Sequence, residues 1–126
     1  MSIAVKSVND FSGLHDGVRI LVDEHMPEGM DEYKLNVDLW PKELAPSESL
    51  CNTFKDRPDS WDEFVDGYFR ELDAERDIWI TAIIAMARKG VVTLLYTCGS
   101  PERNIANTIR DYILRVLAEQ PEEKAA

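Results

Sequence analysis

Apolar residues recur along this chain with two periods. Between positions 61 and 72, Trp61, Phe64, Val65, Tyr68, Phe69 and Leu72 mark one face of a helix buried on one side. Ser60 and Glu63 form an S-x-x-E capping box at its start, and Asp59, Asp62 and Glu63 suit the positive end of the helix dipole. A further helix is predicted over residues 76–89, with Ile78, Trp79, Ala82, Ile83 and Met86 inward. Arg88 and Lys89 occupy its last turn, and Gly90 stands where a left-handed cap residue is wanted. A short helix is predicted from Ser47, with Leu50, Cys51 and Phe54 inward. In the final helix Ser100 caps, Pro101 takes the first position and Glu102 lies in the first turn. Its inward stripe is Ile105, Ile109, Tyr112, Ile113, Val116 and Leu117.

The second period belongs to strands. Val91 to Thr97 is continuously apolar and β-branched, which suits a central strand covered on both faces. Val18 to Val22 is a similar, shorter run, and Ile3, Val5 and Val8 mark a weaker one. From Tyr33 to Trp40 apolar and polar residues alternate until Pro41, the pattern of a half-buried strand. Strands interleaved with helices predict an α/β fold, a three-layer domain with a small, mostly parallel sheet and helices on both faces. The domain is expected to span residues 1–119, with 120–126 as a frayed tail.

Composition narrows the function. A chain of 126 residues, 44% hydrophobic, makes one folded domain. Fourteen basic residues against 24 acidic ones leave a net charge of -10. That argues against nucleic acid as a partner, since binding it needs a basic face, and against docking on an anionic membrane. No apolar run reaches the ~20 residues of a spanning helix, and the start lacks the apolar core of a secretory leader. A cytoplasmic protein is expected. Residues 56–77 carry nine acids against three bases, so much of the charge reads as the solvated outer face of one helix. Cys51 and Cys98 form neither a disulfide framework nor a metal-ligand spacing. Neither a metal nor a cofactor is expected.

The best-placed candidate site is the loop from Cys98 to Asn104, where a buried strand feeds a helix start. Open α/β sheets bind ligands at such places, and free backbone N–H groups there suit anions. Asp23 ends another strand. If the two strands run parallel, Asp23, His25, Cys98, Ser100 and Asn104 converge on one rim; an ordinary capped helix is the plainer reading. Cys98 and Arg103 make C-x4-R, one residue short of the C-x5-R of thiol phosphatases, so a half-buried thiol is the default. His25 beside Asp23 and Glu24 gives a compact D-E-H set, but successive strand residues face opposite ways, which speaks against a metal. G-x-S-x-G, Walker, dinucleotide and H-E-x-x-H motifs are absent.

Several segments occur together in order: RILVD at 19–23, Pro27-x-Gly29, DLW at 38–40, KELAPS at 42–47, Phe54 with Pro58 and Trp61, and VTLLY at 92–96. This order resembles the YeaO-like branch of the domain-of-unknown-function 488 family, over roughly residues 3 to 115. The resemblance implies a compact α/β fold with polar residues near the strand ends, and no settled activity. Where the family has V-D-R-L-W-P-R-G, this chain has Glu24, His25, Met26 and Glu28 inside the segment from Val22 to Gly29. Its H-D-P and H-N-H-A segments are here Asp56-Arg57-Pro58 and Arg103-Asn104-Ile105-Ala106. Asp23, Lys42, Tyr96 and Asn104 remain. An arginine exchanged for glutamate replaces donors by acceptors, so an anion site built on those cations is lost or rebuilt. Two readings follow. One is a binding or interaction protein with a degenerate strand-end site; the alternative is a small enzyme acting on an anionic or nucleotide-like substrate. The ligand set is Asp23, His25, Lys42, Tyr96, Cys98, Ser100, Arg103 and Asn104, with Asp23, Cys98 and Asn104 as catalytic candidates. The expected partner is a small anionic ligand.

Overall fold

A computed structural model describes residues 2–10, 13–31, 33–56, 59–97 and 100–119. The sheet has three strands, β1 (Ser2–Ser7), β2 (Val18–Leu21) and β3 (Val91–Tyr96), in the order β1-β3-β2 with both pairs parallel. β3 is central and buried from Val92 to Tyr96, as its unbroken apolar run predicts. A 3-10 turn at Lys42–Leu44 and the helices α1 (Glu48–Asp56), α2 (Trp61–Lys89) and α3 (Ile105–Glu119) complete the chain. The α/β class with a parallel sheet stands. Among the described residues no helix is long and apolar enough to cross a membrane.

Register assigns the two faces. Ile3, Val92 and Val18 lie level, as do Val5, Leu94 and Ile20, so these share one face. They meet Tyr68, Leu72 and Ile83 of α2 and Ile109 and Ile113 of α3, all nearly solvent-free. The opposite face presents Leu21 and Leu95, covered by Met26, Leu35, Val37 and Trp40. Its covering layer is therefore irregular chain from the long connection after β2.

Three expectations change. The acidic helix and the one after it are a single 29-residue helix. Phe64, Tyr68, Leu72, Ile80, Ile83 and Ala87 are all buried at helical spacing, and no Pro or Gly stands between Tyr68 and Lys89 to end it. Reading Ile78 as inward placed the stripe one step off; Ile78 is 75% exposed. Gly90 closes the helix in extended backbone rather than a left-handed cap.

Residues 33–40 form turns instead of a strand. Asn36 adopts a left-handed φ of 56°, and the Leu35 and Asn36 amides bond back to Asp31 and Tyr33. Leu35, Val37 and Leu39 are half-buried between exposed Lys34, Asn36 and Asp38. The alternation reported one-sided burial correctly without a ladder; only a bridge from Leu39 to Ile20 remains.

Last, α3 begins at Ile105 rather than Pro101. Ser100 closes a turn, its amide donating to the Arg103 carbonyl and its hydroxyl accepting from the Arg103 amide. That turn delays the helix.

One glycine is demanded by the backbone. Gly17, just before β2, has φ +65°, and a Cβ there would lie 2.0 Å from the Val91 carbonyl oxygen.

The two edges of the sheet differ. In each outer strand alternate residues turn their N–H and C=O toward β3 and the others outward. Val22 donates to the Leu95 carbonyl, so Arg19 and Leu21 of β2 face outward. The amide of Leu21 donates to the Leu39 carbonyl, and the Arg19 carbonyl accepts from Asp38 and Leu39. The Arg19 amide donates to the Asp38 carboxylate at 2.9 Å. This edge is stitched shut by the chain that follows it.

Candidate functional site

Asp23 lies just past β2 and is 5% exposed. Its carboxylate accepts from the backbone amide of Thr97 and, at 2.7 Å, from the Thr97 hydroxyl. Its carbonyl accepts from Trp40 Nε1 at 2.8 Å. Two parallel strand ends are thereby latched together, and Thr97, which sequence reasoning passed over, is half of the latch. Lys42 sits 4.2 Å above the Trp40 ring, a cation–π contact that joins the same group. Beneath, wholly buried Tyr68 donates its hydroxyl to the Leu44 carbonyl. Burial raises its pKa well above the usual phenol value, and the charges of Asp23 and Glu71 raise it further. It is a neutral donor there and no base.

The other candidates do not gather around Asp23. The His25 side chain is 86% exposed, with Nε2 3.6 Å from Glu24. Ser100 is engaged in its turn, whereas Arg103 joins that turn through its backbone and is exposed to solvent. Asn104 is 2% exposed, and its side-chain oxygen accepts from the Asn107 amide at 2.8 Å, the bond of a helix N-cap. Its side-chain nitrogen donates to the carbonyls of Ser100 and Pro101. Cys98, Gly99 and residues 120–126 lie outside the described residues, as does the side chain of Phe54. Among the described residues no three His, Cys, Asp or Glu side chains come together to hold a metal.

Tyr96 belongs to a different place. With Val5, Lys6, Ser7, Asp10, Pro101, Asn107 and Arg110 it lines a polar cleft of about 480 Å³, where β1 and β3 end against α3. Arg110 bonds the Asn107 side chain at 3.2 Å and has no carboxylate partner among the described residues. Lys6 is otherwise engaged. Alternation turns its side chain to the opposite face of the sheet, where its ammonium pairs with Asp16 at 2.9 Å. Asp10 caps the end of β1, its carboxylate accepting from the Ser7 amide at 3.1 Å.

The pairing of Lys6 belongs to a network that sequence reasoning missed. Asp16 and Arg19, 7% and 5% exposed, meet at 2.5 Å. The Arg19 guanidinium also donates to the carbonyls of Asn36 and Leu35, and Asp16 accepts from the Gly13 amide. Burial pushes the Asp16 carboxyl up, but the Gly13 amide, Lys6 and Arg19 outweigh it and bring the pKa down to about 2. The sole signal in the sequence was a charged residue inside an apolar strand.

This chain is 33% identical to the uncharacterised protein YeaO of Escherichia coli over 113 residues, 90% of this chain and 97% of that one. It is 39% identical over 57 residues, 45% of this chain, to the uncharacterised proteins Mb3100c of Mycobacterium bovis and Rv3073c of Mycobacterium tuberculosis, covering 48% of each. No solved structure gives a significant match. The family model described as the inactive DUF488-N3 subclade matches residues 2–126. With that match over nearly its whole length, and the YeaO likeness beside it, the chain belongs to the DUF488 family, within its inactive N3 subclade.

Proposed function

We propose that this protein binds a small anionic ligand in the cleft between β1, β3 and α3 and does not transform it. One observation carries the reading: the Arg110 guanidinium stands in a polar cleft at the carboxyl ends of the strands and, among the described residues, no carboxylate pairs with it. Parallel sheets bind ligands at that end, and a guanidinium offers paired donors to a carboxylate or phosphate. Catalysis needs a nucleophile or base free to act. Asp10, in the lining of the cleft, is committed to the Ser7 amide, and on the other side of the sheet Asp23 is committed to Thr97. The subclade's description as inactive agrees with a binding role.

The test is a thermal-shift and calorimetric screen of inorganic phosphate, small carboxylates and nucleoside monophosphates against the protein and Arg110→Gln. A ligand at a hundred times its Kd stabilises by about 2.7 kcal/mol. The expected result is a shift with at least one anion that Arg110→Gln abolishes. A shift that Arg110→Gln leaves intact, the absence of any shift, or conversion of a bound anion to product contradicts the proposal.

A further inference from the structure

The edge of β1 is open where that of β2 is closed. Val8 donates to the Tyr96 carbonyl, so Ala4 and Lys6 turn their backbone groups inward to β3 and Ile3, Val5 and Ser7 turn theirs outward. Ser7 is already occupied: its amide donates to the Asp10 carboxylate and its carbonyl accepts from the Asp10 amide. Four outward groups remain, the N–H and C=O of Ile3 and Val5, with no partner among the described residues. An exposed strand edge of this kind is a template for pairing.

We infer that this edge pairs with the same edge of a second copy, antiparallel about a two-fold axis at Ala4. The pattern of free groups selects that occupant. In an antiparallel pair, two opposed residues whose groups face each other exchange both N–H···O bonds. With Ala4 opposite its counterpart, Ile3 of one copy faces Val5 of the other, and Val5 faces Ile3. All four free groups on each copy are then used, in four bonds that cross the axis. The patch is its own complement, as an isologous interface requires. Asp10 holds Ser7 at each end of the ladder, and that fixes the register. Side chains agree with it. Half-buried Ile3 and Val5 sit beside each other on the helix-covered face, and small Ala4 lies on the axis. Repulsion is modest, since the densest acidic stretch is on α2 and the one charged residue of β1, Lys6, is paired with Asp16. The joined sheet has six strands. This inference is independent of the ligand reading.

Sedimentation equilibrium from low micromolar to millimolar concentration tests it, with circular dichroism to check that each variant folds. The expected result is a mass rising with concentration toward twice 14.4 kDa. Val5→Pro removes an outward N–H and leaves the ladder to β3 intact; it weakens association at least tenfold. Ala4→Lys and Ala4→Glu each place like charges face to face on the axis and are monomeric alone. Mixed in equal amounts, they form the heterodimer. The charge pair decides the matter even if Val5→Pro does not fold. Monomer at every concentration overturns the inference, as does a dimer unaffected by folded Val5→Pro or a charge pair that mixing fails to rescue.

Discussion

Along β2, Arg19 and Leu21 give their outward backbone groups to residues 38 and 39, whereas along β1 those of Ile3 and Val5 meet no partner among the described residues. The closed edge is also the one the sequence marks most heavily. RILVD, DLW and the start of KELAPS are the segments that stitch it, and Asp23, Trp40 and Lys42 bond to one another there. Polar residues at a strand end thus serve closure as readily as chemistry. The open edge carries almost no polar signal, yet it borders the cleft in which Arg110 meets no carboxylate partner among the described residues. A site is located by groups left over, and these show only after every internal bond has been assigned.

The largest effect should come from breaking the closed side at its buried charges. Asp16→Ala leaves Arg19 and Lys6 without their counter-charge, and removing one partner of a buried pair costs about 3–5 kcal/mol; a chemical denaturation curve measures it. Acid attacks the same point more gently. The folded pKa of Asp16, about 2, lies below its ordinary 3.8, so the stabilisation is complete above about pH 4 and is lost as pH falls toward 2. Roughly 2 kcal/mol should disappear across that window, and it should be missing from an Asp16→Asn variant.

Asp38→Ala removes the acceptor of the Arg19 amide. It should cost about 1–2 kcal/mol and speed hydrogen exchange at Arg19 while leaving Ile3 and Val5 unchanged. The smallest effect belongs to the open edge. Asp10→Ala frees the Ser7 amide, while the backbone amide of residue 10 still donates to the Ser7 carbonyl, at a cost below about 1 kcal/mol. The pairing edge gains one donor, so association should tighten or change register while the melting temperature barely moves.

Much of the fold was legible in local pattern. β3 is read as central because it is apolar without alternation, and α1 and the inward stripe of α3 follow from helical spacing. Failures came where distant contacts decide. Residues 33–40 alternate because one side packs on the sheet, yet Asn36 bends the backbone out of a strand. Asn104 has the residue type and position of a site residue, and the helix start and its preceding turn engage both the oxygen and the nitrogen of its side chain. Arg19 looks like an interruption in an apolar strand; its partners Asp16, Leu35 and Asn36 are fixed only by the turns on either side. Arg110 lies off the inward stripe of α3, where a charged residue is ordinary, and only the end of β1 makes it part of a cleft.

Residue-resolved hydrogen exchange, run at several protein concentrations, tests most directly the claim that one edge is closed by the chain itself and the other is open and self-complementary. At high dilution Arg19 and Leu21 should be protected, and Ile3 and Val5 should exchange almost as fast as unstructured amides. Raising the concentration should slow Ile3 and Val5 and leave Arg19 and Leu21 as they were. Protection of Ile3 and Val5 at every dilution, or fast exchange at Arg19 and Leu21, would contradict the account.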